Sequence, residues 1–469
     1  MLPLVEFPLI VPHYAPWSES VFSPAAWIQF QRYLNGLLIS ENKTVEGINR
    51  LFVIESRHQS SLNRLLIQSS FSEVALNRPR LALLNSLPGT QVKPQGVLSV
   101  DDMLLTHYGK CFEHIAYLFD HVEKRYTWAH NLVTLHYSDD QTDYPLYFQL
   151  WKPPDVERLE QGLRDIGISL RESKLPLKAS APQKWRQYLL GVWCRQQGLP
   201  AVAALYQSKL LIARQLLQGW VTGHPELQLP VTFDNGYMQP AFCRFIDQEL
   251  HRAYVGTLAP TDQVVLKDAT LTLEAFATRL KGEHQAALAQ EKPPVFSQLS
   301  IPYKGERETY YSYCATHSIH NFGKQHLVIN FRTADLSDSP QFYTSNCLQW
   351  QAGGITRIRR HRWPVEVYHE EGKEEGLDQY QVRDFQAISR HISLVAVTYS
   401  LLRAVPHDAA LLQTLQRELE LALEGSAPFW RRTTQAQSVW ALACFINAGL
   451  AQGKSLREGM APILAAVCC

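Results

Sequence analysis

At Val97 the hydrophobic period of the chain changes, and that change limits the architectures open to it. From about residue 20 to 90 apolar residues recur at three- and four-residue steps. SPAAWIQFQRYLNGLLIS opens on Ser23 as a capping residue, and TVEGINRLFV and QSSLNRLLIQ continue the pattern, which predicts amphipathic helices. A helical bundle without chemistry and a helical DNA-binding domain share this signature. Downstream, GVLSVDDML, EHIAYLFDHV and YTWAHNLVTLHYS are short runs rich in β-branched and aromatic residues, as expected of adjacent antiparallel strands. YPLYFQLW extends that sheet as a fourth run, and residues 155–220 return to a helical period.

LPVTFDNGYM then reads as a buried strand stopping at a loop. QPAFCRFIDQEL is the expected following helix, and AYVGTL the next strand. Between Pro260 and Asn346 a helix (TLEAFATRL), a polar linker (QEKPPVFSQ) and three β runs suggest an insertion into the main domain. Helices are expected from about Trp363 and from Phe385 to Val405, followed by a helical tail punctuated by Pro406 and Pro428.

Three segments carry acidic residues with chemical potential. Asp101 and Asp102 fall in SVDDMLL, where strand alternation turns them to opposite faces. Such a pair is also common as a turn or helix cap. Asp234 follows an apolar run in VTFDNGY, where a charge is costly unless it points into a site. Asp-Asn-Gly is equally good turn chemistry. In ITRIRRHRWPVEVYHEEGKEEGLDQYQVR, Pro364 suits a first helical turn. Glu366 and Lys373 lie seven residues apart, which returns them to nearly one helix face. Arg357, Arg359, Arg360 and Arg362 crowd the approach to that helix, whose N-terminus favours a phosphate. A solvated helix laced with i,i+4 ion pairs is the competing explanation of these charges.

The order strand-Asp, further strands, strand-Asp and late helix-Glu resembles the way a ribonuclease-H-like fold assembles its active site. The fold class expected is therefore α/β: a ribonuclease-H-like mixed sheet with a β-rich insertion and helical flanks. The last segment resembles the Tyr-x2-Arg-x3-Glu-x6-Lys (YREK) signature of DDE transposases encoded by bacterial insertion sequences. Arg362, Glu366 and Lys373 match in identity and spacing, while Arg359 replaces the tyrosine. SVDDMLLTHYGK is similar to the family's first-Asp motif, with Met103 in place of its threonine, and this similarity selects Asp102. LPVTFDNGYM resembles the second-Asp motif.

The resemblance, which spans roughly Val97 to Arg403, implies a cut-and-paste DNA transposase. Asp102, Asp234 and Glu366 would be its catalytic, metal-binding residues. They would hold two Mg²⁺ ions, with Mn²⁺ as a substitute, roughly 3.5–4 Å apart. Arg359, Arg362 and Lys373 would hold DNA phosphates, and Trp350 and Trp363 are candidates to stack on a flipped base. Implied partners are double-stranded DNA with transposon-end inverted repeats, target DNA and a second copy of the chain. The alternatives are a transposase-derived DNA-binding regulator and a ribonuclease-H-like nuclease without strand transfer.

The expected domains are a helical, DNA-end-binding region at 1–95 and a catalytic domain at 96–259 and 346–405. A β-rich insertion at 260–345 and a C-terminal helical region at 406–469, suited to dimerisation, complete the chain. With a formal net charge of +1, DNA would have to be gripped by local basic patches. The eight cysteines show no CxxC spacing and read as reduced residues of a cytoplasmic protein with access to the nucleoid. The N-terminal segment has no basic signal-peptide region, and no apolar stretch is long enough to span a bilayer.

Overall fold

The computed structural model describes residues 9–52 and 57–414, together with positions 416, 453, 455 and 458. Twelve strands form one sheet: β1 (Val97–His107), β2 (Ala116–Asp120), β3 (Arg125–Ser138), β4 (Asp143–Trp151), β5 (Val231–Phe233), β6 (Tyr254–Thr257), β7 (Gln263–Val265), β8 (Thr270–Thr272), β9 (Ser297–Tyr303), β10 (Glu306–Ile319), β11 (Gly323–Phe331) and β12 (Gln341–Ser345). The spatial order is β2-β3-β1-β5-β6-β12-β11-β10-β7-β8, with β4 on β3 and β9 on β10. Antiparallel pairing of β1 with β3 and parallel pairing of β1 with β5 and β5 with β6 make the sheet mixed. This is the expected ribonuclease-H-like arrangement.

Each of the β runs read from residues 97 to 151 forms a strand, and β1, β4 and the second half of β3 are largely covered on both faces. One face of β1 turns Val97 and Ser99 toward the helices at 352–360 and 363–374: Val97 packs with Ile355 and Ile358, and Ser99 Oγ donates to the His361 carbonyl. The opposite face contributes Leu98 and Val100 to the main core, which also includes Ile212, Leu217 and Trp220 of the helix Lys209–Gly223. Ser23 caps the helix Pro24–Ile39 as expected, and the helix Phe385–Ala404 is buried along most of its length against the N-terminal helices.

Three features went unread in the sequence. The strands between residues 260 and 345, read as a β-rich insertion, join the main sheet, β12 pairing with β6. Residues 156–205 enclose a small core of their own around Trp185, Leu163 and Leu189. A separate helix, Ala352–Arg360, precedes the glutamate helix Trp363–Glu374. The dimerisation region expected at 406–469 lies mostly outside the described residues. Among the described residues no helix is long and apolar enough to cross a membrane.

Packing at this density traps histidines in their neutral form. Burial chiefly holds His107, His361 and His391 down to about 4 and His369 to about 3. Below the unfolded value of 6.5 the unfolded chain therefore takes up protons that these side chains refuse, so stability is full above about 6.5 and falls as pH drops toward 4. Asp101, lifted by burial to about 7, works in the opposite sense, one group against four. The free energy of unfolding in urea should decrease between pH 7 and pH 4.5, by up to roughly 1.4 kcal/mol per pH unit per histidine. A flat profile over that range would remove the assignment of these four as neutral.

Candidate active site

The acidic residues meet where β1 and β5 run side by side. Leu98, Ser99 and Val100 pair with Val231, Thr232 and Phe233 in parallel register. The next position is Asp101 on one strand and Asp234 on the other. β5 stops there because Asp234 folds into a turn, Oδ1 accepting the backbone N–H groups of Gly236 at 3.0 Å and Tyr237 at 3.3 Å. Gly236 suits this turn: a Cβ there would stand 3.2 Å from Asp234 Oδ1.

Alternation separates the acid pair as expected. Asp102 Oδ2 accepts from Lys209 Nζ at 2.8 Å and Asn131 Nδ2 at 2.6 Å, while Oδ1 accepts from the Tyr237 hydroxyl at 2.9 Å. Burial pushes this carboxyl up, but the Lys209 ammonium and the three hydrogen bonds outweigh it and hold it below the usual range. Tyr237 is nine-tenths and more removed from water. Burial and then the charge of Asp102, with Asp101 and Asp234 behind it, drive its phenol well up.

Asp101 turns to the other face, toward the glutamate helix. Its Oδ2 accepts from Arg362 Nη1 at 2.5 Å, and Arg362 Nη2 reaches Glu366 Oε1. One guanidinium thus bridges two acids as a bidentate donor. Burial nevertheless lifts Asp101 to about 7 against the pull of Arg362, with Asp234 and Asp102 adding to the rise. Glu366 is the most accessible of this pair, its side chain 31% exposed beside Arg362 at 10%.

The basic residues divide into two groups. Arg357 pairs with Asp140 at 2.6 Å and Arg360 with Glu308 at 2.7 Å, so both brace the fold. Arg359 lies over the Tyr343 ring at 5.6 Å and donates to Thr257 Oγ1 at 2.8 Å. It is lowered to about 10 by burial first and Arg362 next, while the charges of Glu366 and Asp234 reach it. Lys373 sits two turns beyond Glu366 on the same helix and near Asp378, whose carboxyl burial raises against the opposing charge of Lys373. Trp350 is half-buried against the core beneath β1, whereas Trp363 is 48% exposed.

The structure therefore sets Asp101 and Asp234 at adjacent strand positions and ties Asp101 to Glu366 through Arg362, with Arg359 near Glu366 and Asp234, whereas Asp102 turns to the opposite face, toward Lys209, Asn131 and Tyr237. It also supplies three residues that the sequence reading did not select: Asp101 as the acid facing Glu366, Lys209 and Asn131. Lys209 carried only the signal of a helix start after Ser208, common to many lysines. Among the described residues, no three histidine, cysteine, aspartate or glutamate side chains converge closely enough to hold a metal ion together. By type, clustered carboxylates suit a hard divalent cation. Arg362 and Lys209 now stand among them as the balancing positive charge.

The profile described as DDE superfamily endonuclease matches residues 24–311. That span takes in Asp101, Asp102, Lys209 and Asp234, and ends before the glutamate helix. No curated protein matches the chain.

Removing Arg362 leaves Asp101 buried without its partner. Arg362→Ala should cost roughly 3 kcal/mol in urea unfolding at pH 8, the lower end for a broken buried pair. The loss should shrink at pH 5, where a proton on Asp101 removes the buried charge. Equal losses at the two pH values would contradict the raised state of Asp101.

Proposed function

Because the chain belongs to the DDE superfamily endonucleases, we propose that it is a DNA transposase that cuts strands at transposon ends and joins the freed 3′-hydroxyl to target DNA. The observation that carries this reading is the meeting of acids from three distant segments. Asp101, Asp102 and Asp234 all bear on Tyr237, and Arg362 ties Glu366 to Asp101. Carboxylates concentrated this way cost free energy unless cations share them, which is the expense a metal-dependent nuclease accepts.

In this reading Asp102, Asp234 and Glu366 would hold two Mg²⁺ ions, with Mn²⁺ as a substitute, and Asp101, the acid that faces Glu366, would stand beside them. When bound, such ions supply activation of the attacking oxygen and stabilisation of the leaving one. The chain's own residues do the rest. Lys209, 43% exposed at its side chain, is free to swing from Asp102 toward solvent or a phosphate. Arg362 exchanges one acid for a DNA phosphate, to which its fork is well matched. Arg359 and Lys373 hold neighbouring phosphates and fix the strand in line with the acids. Coordinated cleavage of two inverted-repeat ends calls for a homodimer on DNA. Such an enzyme works at the nucleoid.

Supercoiled plasmid incubated with Mg²⁺ gives the direct measurement. Wild type should nick it, and Asp102→Ala, Asp234→Ala and Glu366→Ala should each lower the rate at least roughly a hundredfold. Equal rates in wild type and all three variants would sink the enzyme reading. Incubation of 3′-OH end DNA with a target plasmid separates the chemistries: joined products support transposition, and cutting without joining identifies a nuclease.

A further inference from the structure

Beyond His107 the sheet face that carries Asp101 runs on into a surface with no role in the proposed chemistry. His107 shares that face with Asp101 by alternation and lies five residues past Asp102 on β1, about 17 Å at the usual rise of a strand. Here a cleft of 480 Å³ opens, lined by His107, Phe112, Tyr380, Asp378 and Arg383, with Cys111 beside them. The imidazole lies between two rings, its centroid 4.5 Å from Phe112 and 4.4 Å from Tyr380. Its Nε2 is buried without a hydrogen-bond partner among the described residues. Tyr380 is fixed in place by a 2.7 Å hydrogen bond to His130.

A ladder of aromatic rings starts at the edge of this cleft. Trp128 is the cross-strand partner of His107, and Tyr117 of Trp128, while Phe119 pairs with Tyr126. Alternation places all four on one face of the β2–β3 hairpin. Tyr117 stacks on Tyr126 at 5.5 Å and tilts against Trp128 at 5.3 Å. Tyr117 and Tyr126 remain 53% and 58% exposed, so the ladder is built but uncovered. The charges around it are unequal in freedom. Glu113 is occupied by the Phe385 N–H, Asp120 by the N–H groups of its own turn, and Glu123 faces Arg125. Lys110, Lys124 and Arg383 make no ion pair among the described residues.

We infer that the cleft and the hairpin ladder form a track for an unpaired stretch of the DNA substrate, one base entering beside His107 and its neighbours stacking on Tyr117 and Tyr126. Rings present a π-face to any base, and free cations beside them follow the backbone; this combination recognises single-stranded nucleic acid without reading its sequence. Continuity with Asp101 along one strand places the track within a few nucleotides of the acids. The neutral imidazole, with one nitrogen unfilled, matches a hydrogen-bonding base edge better than it matches a phosphate. This inference rests on the DNA-cleaving reading above.

The test uses the full chain, a fluorescent single-stranded oligonucleotide of mixed sequence, and the same strand with abasic sites. Tyr117→Ala/Tyr126→Ala alters exposed side chains and should leave the urea midpoint unchanged, yet weaken single-strand binding roughly tenfold. Alkylation adds a local readout, because Cys111 and Cys194 are both exposed free thiols. Cys194 lies on a distant helix, Pro182–Gln196. The normal strand should protect Cys111 but not Cys194, and the abasic strand should protect Cys111 much less. Unchanged affinity in the double variant, equal protection by the abasic strand, or no protection of Cys111 would each overturn the track. So would loss of self-association in the double variant with DNA binding intact, which would make the ladder a subunit contact. Plasmid nicking reads the acids separately: retained nicking with a failed track leaves the enzyme standing, whereas loss of dependence on Asp102, Asp234 and Glu366 removes the enzyme reading itself.

Discussion

Arg362 joins the first strand of the sheet to a helix 261 residues further along the chain, through Asp101 on one side and Glu366 on the other. Much of the architecture converges on that bridge. The helix Trp363–Glu374 must lie across the face of β1, and the preceding helix must deliver the chain there. Ser99 and Ser138, on neighbouring strands, hold His361 at the junction through its carbonyl and its Nδ1. A single guanidinium can do this because its donors are rigid and paired. A lysine would offer one mobile point charge and would not fix the two acids at once.

The bridge also explains how so many acids are tolerated in a partly buried place. Asp101 and Asp102 differ in fate although adjacent. Asp102 is solvated by three donors of the protein and stays below the usual carboxylate range, whereas Asp101 has one strong partner and is lifted to about 7. Desolvation wins on one face of the strand and loses on the other, and the number of donors decides the outcome. Charge balance is thus local.

The parts legible in the sequence were those governed by short-range pattern. Strand alternation from Val97 to Trp151, the cap at Ser23, the helix start at Pro364 and the helix Phe385–Ala404 all follow from local periodicity, and the structure repeats them. What was hidden depends on pairing between distant segments. Nothing in QFYTSN shows that it will lie against β6, the pairing by which the segment read as a β-rich insertion joins the main sheet. The arginine run is the clearest example. Arg357, Arg359, Arg360 and Arg362 look alike in sequence, yet helical phase sends the first and third to Asp140 and Glu308 and leaves the others among the acids.

The same arithmetic limits what the site can bind. Lys209 and Arg362 neutralise the carboxylates when nothing else does, so any incoming cation must displace an existing ion pair. A divalent ion with two charges in a small radius gains more from clustered oxygens than an ammonium or guanidinium does. The displaced side chains then become free positive charges at the edge of the cleft, next to the place where a phosphate would lie. In the proposed reading, binding of the cation and of the polyanion would therefore favour each other, since each removes the charge that would oppose the other.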